Sequence, residues 1–280
     1  MTTFNDTNVF YVKMSTGVFK DALKMIEPYC DENKCSLKFI QPTDYNSAKI
    51  NDDKCKITFS HFSKSKNIIF KMDMEAQYLE LFGCNESEVT VTFNIKNLRE
   101  LMRKINSDIS IHIWMRNDDR RCIYISPIID TPFIKYDIIN MGTDRLQSVP
   151  PINTPNIVAR ISIDANQCLK ILKFISEVTK TSCVKISTIA NDITFNNPND
   201  NDPKINITLT DDENFPSPFS SDGGIYNVKP VIELLKMTKT PSNNIIFSLN
   251  YDCTLNLTIN IDHFGKVFMM MVPIETEKNN

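Results

Sequence analysis

The sequence predicts an α+β protein made of two similar domains. Four windows show helical periodicity, the stretches that follow them alternate as strands do, and the whole pattern occurs twice. The first helical window is Val18–Tyr29, with Phe19, Ala22, Leu23 and Ile26 on one face. The second is Ile95–Ile105, with Ile95, Leu98, Leu101, Met102 and Ile105. The third is Ala165–Val178, with Cys168, Ile171, Leu172, Ile175 and Val178, and the fourth is Val228–Lys239, with Val228, Val231, Ile232 and Leu235. Each has the i, i+3, i+4, i+7 spacing that puts apolar side chains on one stripe of a helix. Asp164, with Gln167 three residues on, predicts an N-cap with a capping box. Pro230 suits the first turn of the fourth helix, where a missing N–H costs nothing.

Strand candidates follow each helix: Ile109–Met115, Cys122–Ser126, Val184–Thr188, Ile205–Thr210, Ile245–Leu249 and Leu255–Ile261. The last alternates cleanly, with Leu255, Leu257, Ile259 and Ile261 on one face. The first and third helices start about 147 residues apart and the second and fourth about 133, an internal duplication of architecture. The stretch Ser148–Pro155, with three prolines, reads as an extended linker between the halves.

Composition narrows the function classes. At 280 residues and 41% hydrophobic, the chain can build a full core without disulfide or metal staples. Its eight cysteines are scattered without a C-x-x-C, as in reduced intracellular proteins. No run approaches the roughly eighteen apolar residues of a spanning helix. The opening MTTFNDTNVF lacks a basic-then-apolar signal, so neither secretion nor membrane insertion is expected. A net charge of −3 excludes a uniformly basic coat but allows a basic patch.

Catalytic signatures are missing from the sequence. Six glycines, only Gly223 and Gly224 adjacent, offer no phosphate-cradling loop. His61, His112 and His263 lie far apart, and His112 reads as a solvent-side strand residue within Ile109–Trp114. The acidic clusters Asp118-Asp119 and Asp211-Asp212-Glu213 offer the oxygen ligands that Mg²⁺ requires, but both fall between strands, where acids cap turns. No catalytic residue, cofactor or metal is called for.

Charge is distributed unevenly on this plan. The four helical windows hold eleven bases and five acids, and the rest of the chain holds 20 bases and 29 acids. Bases and apolar residues occupy different sides of each helix. An acidic body thus carries four basic helices, whose faces suit sequence-independent phosphate binding. The bland alternative is an ordinary solvated face.

Several segments carry a family resemblance. Asn227–Pro241, two alternating strands, and then Asp262-His-Phe-Gly-Lys-Val-Phe-Met-Met-Met-Val-Pro-Ile-Glu275 resemble the C-terminal end of proliferating cell nuclear antigen, the DNA sliding clamp. Ile161–Lys173 resembles the family's third helix, Phe70-Lys-Met-Asp73 its apolar–x–Met-Asp turn and Phe93–Leu98 the start of its second helix. The resemblance marks a divergent member, of viral or cellular source. It implies a clamp domain over residues 1–134 with an insertion near 31–54, a connector over 135–155 and a second clamp domain over 156–280. It further implies helices on one face of antiparallel sheets, and a head-to-tail ring of three copies joined through edge strands near Phe133–Ile139 and Ile205–Thr210.

The implied function is a polymerase processivity factor that encircles duplex DNA without sequence preference and docks replication and repair enzymes, with no reaction of its own. The implied partners are duplex DNA, a DNA polymerase and other enzymes carrying short clamp-binding peptides, a clamp loader and the chain itself. The expected location is the nucleus for a cellular source or the site of viral DNA replication for a viral one. Lys20, Arg103, Lys170 and Lys173 match basic positions of the family's inner helices, and Lys24, Lys96, Arg99, Lys229 and Lys236 join them by face. The partner-peptide pocket is expected to involve Met72, Met141, Leu146, Val149, Met270, Met271 and Pro273. Alternation sends Met270 to the face opposite Met269 and Met271, for which core packing is the simpler reading. Other readings remain open: a heterotrimeric checkpoint-type clamp subunit, an interaction protein whose basic helices merely face solvent, and a metal-dependent nuclease built on Asp118 and Asp211.

Overall fold

All four periodic windows fold as helices: α1 Thr16–Ile26, α2 Ile95–Arg103, α3 Ala165–Thr179 and α4 Lys229–Met237. The computed structural model describes residues 8–30, 33–41, 55–63, 67–128, 139–142, 157–189, 192–198, 205–210, 221–237, 244–262 and 265–274. The chain divides into a first unit of Met1–His61, Lys71–Val149 and His263–Gly265, and a second of Phe62–Phe70, Pro150–Asp262 and Lys266–Asn280.

The first unit is built on β1 Asn8–Ser15, β2 Lys34–Ile40, β3 Lys56–Phe62, β4 Ile68–Glu75, β5 Leu81–Cys84, β6 Glu88–Asn94, β7 Ser110–Arg116, β8 Asp119–Pro127 and β9 Ile139–Gly142, of which Phe62 and Ile68–Phe70 count with the second unit. They run in two series, β5-β1-β7-β8-β9 and β4-β3-β2-β6. β2 lies inside the segment 31–54 that the sequence suggests is an insertion. Its register with β3 and β6, for instance Leu37 opposite Phe59 and Val91, makes it part of the sheet, and residues 42–54 lie outside the described residues. The series meet in the core, where the Phe10 and Phe39 rings stack at 3.7 Å and Phe19 of α1 meets Phe59 at 6.2 Å.

The second unit has β10 Ile157–Asp164, β11 Cys183–Ile189, β12 Asp192–Asn196, β13 Asn206–Thr210, β14 Ser221–Asn227, β15 Asn244–Asn250, β16 Leu255–Ile261 and β17 Gly265–Met271. The orders are β10-β15-β16-β17 and β13-β12-β11-β14. Each strand and helix here has a counterpart at the same place in the first unit, and β5 is the added edge. The duplication expected from helix spacing is therefore a duplication of topology. A T-shaped contact of Phe195 with Phe247 at 5.7 Å joins the two series.

Local chemistry explains the boundaries. Asp164 caps α3 by accepting from the Gln167 N–H at 2.8 Å, and Asn94 caps α2 from Asn97 at 3.0 Å. Asp222 and Gly223 form a bulge opposite Ser187, where the β11–β14 register shifts between Ile186, which pairs with Gly224, and Thr188, which pairs with Ser221. Gly223 has φ +65, and a Cβ there would lie 1.7 Å from the Ile186 carbonyl oxygen, so only glycine fits. The apolar face foreseen on β16 is buried at Leu255, Leu257, Ile259 and Ile261. Val178, expected in the core of α3, is 38% exposed instead.

Candidate nucleic-acid interface

In each unit the two helices pack against one another, α1 with α2 and α3 with α4. The buried stripe of α1 is Phe19, Ala22, Leu23, Met25 and Ile26, which leaves Lys24 exposed. α2 buries Ile95, Leu98 and Met102 and exposes Lys96 and Arg103. α3 buries Ala165, Cys168, Leu172 and Ile175, exposing Lys170 and leaving Lys173 half-buried. α4 buries Val231, Ile232, Leu234 and Leu235 and exposes Lys229 and Lys236. Basic residues thus stand off the core on all four helices.

Two of the nine basic candidates have structural partners instead. The first N–H groups of α1 have no intrahelical acceptor, so Thr16 N donates to Ile109 O at 3.0 Å and Gly17 N to Ser107 O at 3.1 Å. Lys20 holds this same 105–109 loop from the side, its Nζ donating to the Ile105 carbonyl and to Ser107 Oγ at 3.1 Å. Arg99 of α2 forms an ion pair with Glu27 at the end of α1. Burial, and next the nearby Arg103, lower the Arg99 guanidinium pKa from its ordinary value. Both side chains fasten α1 to the α2 region, which the sequence does not reveal because their partners are distant in the chain.

The acidic cluster at 118–119 has partners of its own. Asp118 pairs with Arg116 at 2.5 Å, while Asp119 accepts from the Tyr124 hydroxyl at 2.7 Å and the Arg121 N–H at 3.3 Å. These contacts shape the β7–β8 turn, and Asp211-Asp212-Glu213 lies outside the described residues. His112 is half-buried with its ring 4.9 Å from Tyr11, and burial lowers its pKa.

The expected peptide pocket needs correction at two positions. Strand parity on β4 turns Met72 inward with Phe70 and Met74, so it is 0% exposed. Its neighbour Asp73 points outward to Lys56 at 2.7 Å, Lys71 at 3.2 Å and the Thr58 hydroxyl at 2.7 Å. On β17, Met269 and Met271 are buried by the same parity and Met270 is half-buried, which matches the alternation expected for the three. Met72 and Met271 therefore belong to the core and offer a partner no surface. Pro273 remains half-buried beside Gly224, between the partly exposed Val272 and Ile274. Met141 lies on β9 opposite Ile123, and Leu146 and Val149 lie outside the described residues.

No family model matches the chain. It is 24% identical over 223 residues to a probable DNA polymerase sliding clamp of Acanthamoeba polyphaga mimivirus, covering 78% of this chain and 47% of that protein. The chain thus spans about half the length of the curated relative it matches. Among solved structures it resembles A. fulgidus PCNA bound to the C-terminal region of FEN-1, with a TM-score of 0.71, 13% identity, and coverage of 96% of this chain and 100% of that one. PCNA from Entamoeba histolytica gives a TM-score of 0.66 at 14% identity, over 96% of this chain and 100% of that one. A chain of the Sulfolobus tokodaii PCNA2–PCNA3 complex gives 0.65 at 15%, over 94% and 98%.

The fold is the two-domain clamp fold. It is the fold of the PCNA structures above, and the sequence is similar to that of a probable DNA polymerase sliding clamp of a virus.

Proposed function

We propose that this chain is a DNA sliding clamp, a processivity factor that tethers enzymes to duplex DNA by encircling it. The observation that carries the reading is the repeated unit of two sheet series and two helices, matching PCNA over 96% of the chain. Three copies would close head to tail, with β9 of one copy pairing with β13 of the next. Each of these strands ends one sheet series of its unit, and an open edge is a surface that soluble proteins pair or cover. A heterologous contact of this kind must close into a ring or grow into a filament.

The exposed cations Lys24, Lys96, Arg103, Lys170, Lys229 and Lys236, with the half-buried Lys173, would line the hole. Lys and Arg contacts to phosphate bind without reading sequence, so a ring lined by them holds DNA and still slides. Polymerase and other enzymes would dock through short peptides near Met270 and Pro273, and a clamp loader would open the ring. The domain plan of 1–134, 135–155 and 156–280 goes with this proposal, with β9 Ile139–Gly142 carrying the first domain's sheet into the expected connector.

The test is topological. Protein threaded onto linear duplex through its free ends should remain bound in high salt once both ends are capped with bulky blocks, and should be released when the duplex is cut. Equal loss from capped and cut DNA would refute encirclement.

A further inference from the structure

The outward face of α3 carries an exposed aromatic ring. The buried stripe runs through Ala165, Cys168, Leu172 and Ile175, and at about 100° per residue Phe174 falls about 140° from the middle of it. Phe174 is 52% exposed, and Val178 one turn on is 38% exposed. Lys170 lies one turn before Phe174 and Lys173 directly before it, and neither has a hydrogen bond or ion pair among the described residues. Lys180 follows the helix in the left-handed conformation, φ 53, and Glu177 is the one acid on this face.

We propose that the outward face of α3 is a docking site for single-stranded nucleic acid, with a base stacked on Phe174 and flanking phosphates held by Lys170 and Lys173. Every nucleobase has a π-face, so an aromatic ring set among cations binds unpaired strands with little sequence preference. Paired bases in a duplex are stacked on each other and offer the ring no such partner. The charge also disfavours a second copy of the chain as occupant. A two-fold contact through this face would bring Lys170 and Lys173 against their own counterparts. The inference rests on the reading of the helix faces as nucleic-acid surfaces, and it adds a ligand class, unpaired strands, that encirclement of duplex does not require.

The assay is fluorescence anisotropy at low salt with a labelled oligo-dT and a blunt duplex, with light scattering on the same samples. Phe174→Ala should weaken oligo-dT binding about tenfold and leave duplex affinity within about twofold. Phe174→Trp should retain oligo-dT binding, and its added indole emission should be quenched by the strand, whereas Trp114 emission in the parent protein stays constant. Phe174 is half exposed and outside the buried stripe, so these variants leave the core intact. Oligo-dT affinity equal in parent and Phe174→Ala would overturn the proposal. So would a change in particle mass with oligo-dT binding unaltered, which would assign the face to protein contacts. A monomer that still binds oligo-dT through Phe174 would remove the ring and leave this inference standing; a ring indifferent to Phe174 would do the reverse.

Discussion

The two helix pairs occupy the same place in the repeated unit, yet they use their basic residues differently. In the first pair, Lys20 holds the 105–109 loop and Arg99 is neutralised by Glu27, so part of the positive charge is spent on fastening α1 to α2. In the second pair, Lys170, Lys173, Lys229 and Lys236 have no such partner among the described residues, and α3 adds the exposed Phe174. A duplicated fold therefore does not imply a duplicated site. The first unit commits Lys20 and Arg99 to internal geometry and leaves Lys24, Lys96 and Arg103 exposed, whereas the second leaves all four of its candidates available to a ligand.

That contrast can be tested by charge reversal, which carries the largest expected effect. Changing Lys170, Lys173, Lys229 and Lys236 together to Glu should abolish most duplex binding. Each lost phosphate contact should lower the salt-dependence slope by about 0.9. Lys20→Met should leave the slope unchanged, because its ammonium is already committed to Ile105 and Ser107. Titrations over a salt series read both, and an equal loss of slope from Lys20→Met would break the distinction between the pairs.

A smaller effect should separate the units on acidification. Three carboxylates of the first unit titrate below their ordinary range. At Asp73, burial acts to raise the pKa, but hydrogen bonds from Lys56 and Thr58 and the charge of Lys71 outweigh it. At Glu80, burial is likewise outweighed by Lys13 and Ser110, and at Asp119 the Tyr124 hydroxyl is the main cause. A carboxylate whose folded pKa is depressed contributes stability above its unfolded value, about 4, and loses it as pH falls through the folded value. Among the described residues, the ion pairs of carboxylates all lie in the first unit. Hydrogen exchange below about pH 4 should thus expose β4 and β8 before β10 and β15. Simultaneous loss of protection would contradict the assignment.

Much of this architecture is legible in the sequence because its signals are local. The four apolar stripes, the Asp164 cap and the alternation of Leu255–Ile261 depend only on neighbours within a turn or a strand. β1 escapes the same reading because Val9, Phe10, Tyr11 and Val12 are all buried, which removes the alternation that marks a half-exposed strand. β5 and β9 span four residues each, too short to show a period. The candidate site is less legible. Face and charge select Lys20 and Arg99, but whether a cation is free depends on partners up to 87 residues away. Met72 fails for a related reason, since strand parity, not proximity to Asp73, decides which side of β4 it occupies. Phe174 was open to detection, because it falls off the apolar stripe of its own helix while being large and aromatic.

The closed ring is the claim on which the proposed function depends, and the mass of the particle in solution tests it most directly. Light scattering at micromolar concentration should give three times the chain mass of 32.2 kDa. Substituting Leu209 on the edge strand β13 with Pro should shift the population toward monomer. A parent protein that remains monomeric under these conditions would contradict the account.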